Sequence, residues 1–292
     1  MFTITAGTLE LKLEIVPVES LLLHEKTLPH VIKQLSFEFK NWANLQNPII
    51  VNDDNIVLDG NHRAGVFKAL KFNYIPVCKI DYFNDGVKLG YWFRLIRNLK
   101  DLAFFLDLVK GEKGNVRRFS SEKELRDDLM NNPYRFGLQH GNYYASVNIS
   151  RDILGDAVDA YGILEKIQEY LKERNIEMEY IPDQYLSDKK FCSGLSPRDL
   201  IIWTPHISKE MVVDAAKQEK IFSPKSTRHL IPARPLNVNV PTNWFKETIG
   251  LDEINERFEI FLQGKALRRF PPEQVINGRY YQEEIYFFYE KK

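Results

Sequence analysis

Four residues at one predicted strand-to-helix turn are of types suited to binding a phosphate and its metal ion. The stretch NIVLDGNHRAGVFKAL, residues 55–70, passes from a short apolar strand into an apolar helical face through Asp59, Gly60, His62 and Arg63. A glycine lets the backbone approach a ligand, and the helix N-terminus that follows offers N–H groups and a partial positive charge. Arg63 and His62 can donate to phosphate oxygens, while Asp59 can hold Mg²⁺ through its carboxylate.

The same turn also has a purely structural interpretation. In that alternative Asp59 caps the helix, Gly60 eases the turn and Arg63 faces solvent, and the spacing alone favours it. The turn is not a P-loop, because the motif G-x-x-x-x-G-K-[ST] is absent from it. The local pattern therefore leaves a phosphate site and a capped helix both open.

A second cluster of anion-binding side chains lies late in the chain, in the stretch SPKSTRH. Two hydroxyls and up to three cations follow one another there: Lys225, Ser226, Thr227, Arg228 and His229. Such a group suits a phosphate or a carboxylate. The alternative is a solvated loop after a helix, which is favoured for this cluster in isolation. Two such clusters in one chain of zero net charge weaken both structural alternatives.

Glu25 in LLLHEKTLP follows an apolar run and precedes a predicted helix. A partly desolvated carboxylate has a raised pKa and can act as a general base. The alternative is an acidic residue that stabilises the helix N-terminus, and the sequence alone prefers it. His24 and His30 are six residues apart, which is not the spacing of a helical metal pair.

The composition bounds the class of protein. The chain has 292 residues with 40 Lys plus Arg and 40 Asp plus Glu, so its formal net charge is zero, which argues against a large nucleic-acid footprint. We find no signal-peptide pattern and no apolar run long enough to span a membrane. The two cysteines, Cys78 and Cys192, lack the spacing of zinc ligands, and Cys78 is expected in the core. These features indicate a cytoplasmic protein.

The predicted elements position these residues in two domains. Residues 1–100 read as an α+β unit, in which a hairpin at 48–58 leads into a helix at 61–70. A polar stretch at 110–124 is predicted to be a linker or a long loop. Residues 101–292 form a second α/β domain, with a long helix or two expected at 150–174, capped by Ser150, and a C-terminal extension from about residue 245.

Ordered motifs make the chain resemble a known family. LDGNHR is similar to the D-G-x-H-R turn of the ParB/sulfiredoxin-like fold. Three further features recur in the free L-serine kinase branch of that fold: an HE pair, a DYF…GVK…W segment and an FSPK-T-T-R-H-like loop. They stand here as His24-Glu25, DYFNDGVKLGYW (residues 81–92) and IFSPKSTRHLIP (residues 221–232). The resemblance covers about residues 12–245, and the tail resembles the longer members, which include siderophore-pathway serine kinases.

The resemblance implies an ATP- or ADP-dependent kinase that forms O-phosphoserine, with its active site in the cleft between the two domains. It places Glu25 at the general base and Asp59 at the acid that holds Mg²⁺. The implied nucleotide-binding residues are Gly60, Asn61, His62 and Arg63. The implied substrate-binding residues are Trp92, Ser226, Thr227, Arg228 and His229. We expect a monomer or homodimer that binds small molecules and neither membranes nor nucleic acid.

Some features leave alternatives open. Asn61 stands where archaeal members often have a second histidine, and residues 97–200 match no motif of the family. The acceptor can therefore be another small hydroxyl compound. A ParB-like nucleotide-dependent DNA-binding regulator is the alternative of a different class. A sulfiredoxin-like reductase is rejected, because DGNHR lacks the reactive cysteine that this chemistry needs.

Overall fold

The computed structural model describes residues 1–39, 43–149 and 155–291. The chain divides into two compact units, of which the first comprises Met1–Lys88 with His229–Lys292 and the second comprises Leu89–Arg228. These units differ from the predicted domains of 1–100 and 101–292, because the chain returns to the first unit after residue 228.

Strands account for many of the described residues. They are β1 (Phe2–Ala6), β2 (Leu9–Pro17), β3 (Asn44–Leu45), β4 (Ile49–Val51), β5 (Val57–Asp59), β6 (Tyr74–Lys79), β7 (Lys88–Gly90), β8 (Trp92–Ile96), β9 (Gly114–Phe119), β10 (Phe136–His140), β11 (Tyr143–Ile149), β12 (Glu179–Pro182), β13 (Leu200–Trp203), β14 (Arg228–Leu230), β15 (Ala233–Leu236), β16 (Val240–Pro241), β17 (Lys265–Phe270), β18 (Gln274–Ile276), β19 (Arg279–Tyr281) and β20 (Glu284–Glu290).

The helices are α1 (Pro29–Phe39), α2 (Asn61–Ala69), α3 (Leu102–Gly111), α4 (Glu122–Asn131), α5 (Ala157–Glu173), α6 (Lys189–Ser193), α7 (Lys209–Lys217) and α8 (Leu251–Gln263). Short 3-10 turns lie at Val18–Ser20, Asp183–Ser187 and Thr242–Lys246. No helix within the described ranges has the length and apolar character that crossing a membrane requires.

The first unit is built around a five-stranded sheet in the order β1-β2-β6-β4-β5. The predicted hairpin at 48–58 is confirmed, since β4 and β5 pair antiparallel. Helix α2 begins directly after β5, as the apolar spacing of its sequence predicts. Phe67 of this helix is fully buried. The centroid of its ring lies 5.1 Å from that of Phe39, 4.9 Å from that of Phe72 and 5.1 Å from that of Phe245. This aromatic contact fixes the helix, and with it the strand-to-helix turn.

A three-stranded sheet, β15-β20-β17, completes the first unit from its C-terminal part. Strand β15 pairs parallel with β20, which brings Arg234 opposite Ile285. Helix α8 also returns to the N-terminal strands, where Asn255 Oδ1 accepts a hydrogen bond from the Ile15 N–H at 2.8 Å. The last part of the chain is therefore structurally integral to the first unit.

The second unit has a six-stranded sheet in the order β12-β8-β13-β10-β11-β9. Alternating residues of β13 face opposite sides of it: Leu200 and Ile202 pack with residues of α3 and α5, whereas Ile201 and Trp203 pack with residues of α4. Both faces are thus covered, which accounts for a strand that is buried at all four positions.

The predicted linker at 110–124 is wrong. Strand β9 lies within it and pairs with β11 at the sheet edge, and α4 begins at Glu122 with Ser121 as its N-cap. The sequence hides β9 because most of its residues are exposed or half-buried. The helix expected at 150–174 begins at Ala157 with an Asp156 cap, while Ser150 lies outside the described residues. Cys78 is fully buried, as expected.

Candidate active site

The turn between β5 and α2 depends on a glycine. Gly60 is the N-cap residue of α2 and has φ 102°, in the left-handed region. A Cβ at this position would lie 2.5 Å from Ile49 Cγ2 and 3.0 Å from Arg63 Nη2. Since no side chain caps the helix, the alternative in which Asp59 is a helix cap is wrong. The backbone at this turn is bare, which is the condition for close approach of a phosphate.

Asp59 is held by two arginines instead. Its Oδ2 accepts hydrogen bonds from Arg63 Nη2 at 3.4 Å and from Arg234 Nη1 at 3.1 Å. Burial of the carboxylate works to raise its pKa, but Arg234 and Arg63 outweigh it and the pKa of Asp59 is lowered. The Asp59 side chain remains 40% exposed, and within the described residues no hydrogen bond reaches Oδ1. The group is an ionised carboxylate with one oxygen available to a cation.

The remaining turn residues have distinct environments. Arg63 does not face solvent: its Nη1 donates to the carbonyl oxygens of Asn47 at 2.7 Å and Pro48 at 3.1 Å. His62 Nε2 accepts a hydrogen bond from the Leu28 N–H at 3.2 Å, so Nδ1 carries the proton of the neutral ring. Asn61 Oδ1 is buried and has no hydrogen-bond partner among the described residues.

Glu25 lies in the same unit as the turn. It is 9% exposed and precedes the start of α1 by four residues, so it is not the helix-terminal charge of the alternative interpretation. The neighbouring His24 is fully buried, and this burial lowers its pKa against the opposing effect of the Glu25 charge. His24 meets the ring of His229 edge to face at 5.3 Å, and His229 Nε2 lies 2.8 Å from the Tyr82 hydroxyl.

These contacts bring together three residues that are far apart in the sequence. His229 was predicted as a substrate-binding residue, whereas His24 and Tyr82 were given no role. The structure places the three side chains in one group beside Glu25, in which His24 and Tyr82 are buried and His229 is half-buried. No local pattern announces such a group, because Tyr82 and His229 are 147 residues apart in the sequence.

The late loop is buried rather than solvated, so the solvated-loop alternative is wrong. Ser226 is fully buried and Thr227 is 8% exposed. The Ser226 hydroxyl donates to the Ser223 carbonyl oxygen at 2.6 Å, which closes the loop on itself. Lys225 has φ 60°, an uncommon conformation for a residue with a side chain. Arg228 Nη1 donates to Gln184 Oε1 at 3.1 Å.

Strand β8 supports this loop from within the second unit. Trp92 Nε1 donates to the Thr227 carbonyl oxygen at 3.1 Å, and Lys225 Nζ lies 4.6 Å from the centre of the indole. Arg94 is 2% exposed and donates through Nη1 to the Lys225 carbonyl oxygen at 2.9 Å. Trp92 is a predicted site residue, but Arg94 is missed because its partners in this loop, the carbonyl oxygens of Pro224 and Lys225, lie 130 or more residues away.

The described residues contain no group of three or more His, Cys, Asp or Glu side chains arranged to hold a metal ion. Mg²⁺ has a different requirement, since it is bound through one or two carboxylates together with phosphates and water. Asp59 with its available Oδ1 fits that requirement.

The chain is similar in sequence to known L-serine kinases. No family model matches the chain. An ATP-dependent L-serine kinase of Staphylothermus marinus is 28% identical over 239 residues, which are 80% of this chain and 90% of that protein. An ADP-dependent L-serine kinase of Thermococcus kodakarensis is 24% identical over 188 residues, covering 64% of this chain and 72% of that protein.

Solved structures agree with the sequence relatives. A free serine kinase in complex with AMP superposes with a TM-score of 0.63 at 19% identity, covering 80% of this chain and 93% of that one. The chain has the fold of the free serine kinases. SbnI from Staphylococcus aureus, solved with a C-terminal truncation, has a TM-score of 0.66 at 18% identity and covers 86% of this chain and 95% of that one. The predicted resemblance to free L-serine kinases and the predicted α+β, ParB/sulfiredoxin-like fold are confirmed.

Proposed function

We propose that this chain is a kinase that transfers the terminal phosphoryl group of ATP or ADP to the hydroxyl of free L-serine. The product is O-phospho-L-serine. The observation that carries the proposal is the similarity to an ATP-dependent L-serine kinase over 80% of the chain. The structures of free serine kinases with AMP and, for a variant, with ADP support a nucleotide as the donor.

In this proposal Glu25 takes the proton of the serine hydroxyl. The serine oxygen then forms a bond to the terminal phosphorus, and the bond from that phosphorus to the bridging oxygen breaks. The nucleotide leaves with one phosphate fewer, as ADP from ATP or AMP from ADP. Phosphoryl transfer needs positioning and charge neutralisation more than covalent chemistry. A buried carboxylate at Glu25 and a paired, ionised one at Asp59 supply two different roles.

Asp59 is the residue that we propose to hold Mg²⁺, which would neutralise phosphate charge when bound. Gly60, Asn61, His62 and Arg63 are the proposed nucleotide-binding residues. The buried Asn61 Oδ1 is an unmet acceptor, which a donor on the nucleotide such as a ribose hydroxyl would satisfy. Asn in this position also carries less positive charge than a histidine could, which bears on the choice between ADP and ATP.

The proposed substrate-binding residues are Trp92, Ser226, Thr227, Arg228 and His229. Arg228 is the group best suited to a carboxylate or a phosphate, because its guanidinium can donate two parallel hydrogen bonds. The buried hydroxyls and strained backbone of the loop support a binding role, since backbone strain accumulates at functional sites. The chain is proposed to act in the cytoplasm as a monomer or homodimer.

Phosphorus NMR tests the proposed reaction directly. The protein is incubated with Mg²⁺, with ADP or ATP, and with L-serine, threonine, homoserine or glycerol in parallel. We expect a new phosphomonoester resonance with L-serine that coincides with added O-phospho-L-serine. A phosphomonoester with another acceptor but not with serine would establish a different acceptor, and none with any acceptor under either nucleotide would refute the kinase.

A further inference from the structure

An arginine outside the motifs lies directly on the proposed magnesium ligand. Arg234 on β15 donates through Nη1 to Asp59 Oδ2 at 3.1 Å, the same oxygen that Arg63 contacts at 3.4 Å. The Nε side of Arg234 forms an ion pair with Glu283, which immediately precedes β20. The side chains of Arg234 and Glu283 are each 15% exposed.

The two arginines on Asp59 differ in how they are held. Arg63 is fastened by two backbone carbonyl oxygens, at Asn47 and Pro48. Among the described residues, the hydrogen-bond and ion-pair partners of Arg234 are the carboxylates of Asp59 and Glu283 alone. The Nη2 group of Arg234 donates no hydrogen bond to any described residue. Carboxylate contacts are those that a phosphate replaces most readily, because both anions accept the same forked pair of N–H groups.

The surroundings of Arg234 carry excess positive charge. Arg279 on β19 lies near enough for its charge to act on Asp59, and its guanidinium sits 4.9 Å from the centre of the Tyr281 ring. The charges of the three guanidinium groups of Arg63, Arg234 and Arg279 therefore exceed those of the Asp59 and Glu283 carboxylates by one. A net positive charge attracts an anion rather than a bare cation.

We propose that Arg234 binds a phosphate of the nucleotide, and that the Glu283 carboxylate competes with that phosphate for the Arg234 guanidinium. The proposal rests on the proposed kinase function for the identity of the anion, a nucleoside di- or triphosphate. Glu283 comes from the C-terminal extension, so this extension contributes a competing anion to the proposed nucleotide site. Arg234 itself lies two residues beyond the late motif.

Binding of free ADP, measured by calorimetry without Mg²⁺ and without serine, tests this role. Replacing Arg234 by Gln should weaken ADP about tenfold or more, since a hydrogen bond to a charged group is lost. Replacing Glu283 by Gln should instead tighten ADP a few-fold at low salt, because an anion that competes for Arg234 is removed. Arg269→Gln is the matched control: Arg269 is 68% exposed and pairs with Glu284 on the same sheet, and its loss should leave ADP affinity unchanged.

The opposite changes in ADP affinity that we expect for the two variants distinguish a binding role from a structural one. If Glu283→Gln and Arg234→Gln both weaken ADP, the pair merely supports the fold and the proposal fails. ADP affinity equal to wild type in a folded Arg234→Gln protein would overturn it too, as would a wild type that does not bind ADP. Glu283→Gln retains Arg234, so its result decides the matter if Arg234→Gln does not fold. If the wild-type protein binds ADP but does not phosphorylate serine, the proposed serine kinase function is refuted. The ADP affinities of the variants then still decide whether Arg234 binds the nucleotide.

Discussion

At the scale of single residues, two carboxylates of the first unit have contrasting environments. Asp59 is 40% exposed and accepts from two guanidinium groups, which lower its pKa and keep it ionised. Glu25 is 9% exposed and adjoins the fully buried His24. An ionised group with an available oxygen suits a cation, whereas a secluded carboxylate suits proton transfer. The difference in surroundings supports the two different roles that we propose for Asp59 and Glu25.

Replacing Glu25 by Gln removes the proposed base while keeping the shape of the side chain. We expect kcat for serine phosphorylation to fall about 10²–10⁴-fold, the usual contribution of a general base. ADP affinity should stay near the wild-type value, because Glu25 does not act on the nucleotide. Steady-state kinetics and calorimetry measure the two quantities. Glu19→Gln, an exposed change in the preceding 3-10 turn, is the control. Wild-type turnover in Glu25→Gln would remove Glu25 from the mechanism.

Sequence predicts a candidate site residue where the signal is local, and misses it where the partner is distant. Asp59 and Gly60 stand out because a strand, a glycine and a helix follow one another within a few residues. Arg234 does not, since its contact with Asp59 joins residues 175 positions apart. The buried Arg94 is likewise a single basic residue in an apolar strand until its partners at 224 and 225 are known.

At the scale of elements, the turn between β5 and α2 depends on the backbone conformation of Gly60. Gly60→Ala would place a Cβ within 2.5 Å of Ile49 Cγ2 at φ 102°, so the backbone or Ile49 must shift. We expect a loss of about 1–3 kcal/mol in the free energy of unfolding, together with weaker ADP binding.

A second glycine of the chain provides the control for this change. Gly162 lies inside α5, where an added Cβ meets nothing within 4 Å. Gly162→Ala should therefore stabilise the protein by about 0.5–1 kcal/mol. Chemical denaturation measures both free energies. An unchanged stability in Gly60→Ala would show that the turn tolerates a side chain and would weaken the argument for close phosphate approach.

A buried carboxylate before β13 predicts a pH-dependent stability. Asp199 is 4% exposed and accepts from the N–H groups of Asn98 and Ser196 and from Arg97. Burial works to raise its pKa, but these donors outweigh it and the pKa lies below the ordinary value of 3.8. Its stabilising effect is therefore full above about pH 4 and is lost as the pH falls through the lower, folded-state value.

Asp199→Asn should accordingly destabilise the protein by about 1–3 kcal/mol at pH 7. The difference from wild type should shrink below about pH 4, where the wild-type carboxylate also becomes protonated. Urea unfolding at several pH values measures it. Asp107→Asn, which changes a largely exposed carboxylate paired with Lys110, should have little effect at any pH. A difference for Asp199→Asn that is independent of pH would exclude this origin.

Secondary-structure elements with a clear pattern of apolar residues can be predicted from the sequence, whereas strands at the edge of a sheet cannot. The buried strand Leu200–Trp203 consists of four consecutive apolar residues, and such a run is typical of a strand that is covered on both faces. Strand β9 was taken for a linker, since an edge strand with exposed Arg117 and Arg118 carries little hydrophobic signal.

At the scale of the whole molecule, charge separates the kinase from a DNA-binding regulator. A ParB-like nucleotide-dependent DNA-binding regulator is the alternative function of a different class. With 40 basic and 40 acidic residues, the chain lacks the excess that holds a protein to DNA. We expect no binding tighter than about 10⁻⁶ M to duplex DNA at about 0.15 M salt, with or without nucleotide. Fluorescence anisotropy measures it, and sequence-specific binding in the nanomolar range would favour the regulator.

The division into units is the feature that sequence predicts least well. Composition marks neither the passage from Lys88 to Leu89 nor the return at residue 229. The boundaries follow from pairings between the two ends of the chain: the Ile15 N–H with Asn255, and the Tyr286 hydroxyl with the Thr5 carbonyl oxygen. Pairings over such separations leave no local trace in the sequence.

The first unit is discontinuous, and this has a consequence for how the protein is made. A ribosome releases the chain from its N-terminus, and domains generally fold as units in that order. Here Leu89–Arg228 is complete while the first unit still lacks β15, β17, β20 and α8. The second unit can therefore finish folding during translation, whereas Asp59 gains Arg234 and Glu283 only after both of these later residues have emerged. The proposed nucleotide site thus forms after the whole of the second unit has been synthesised.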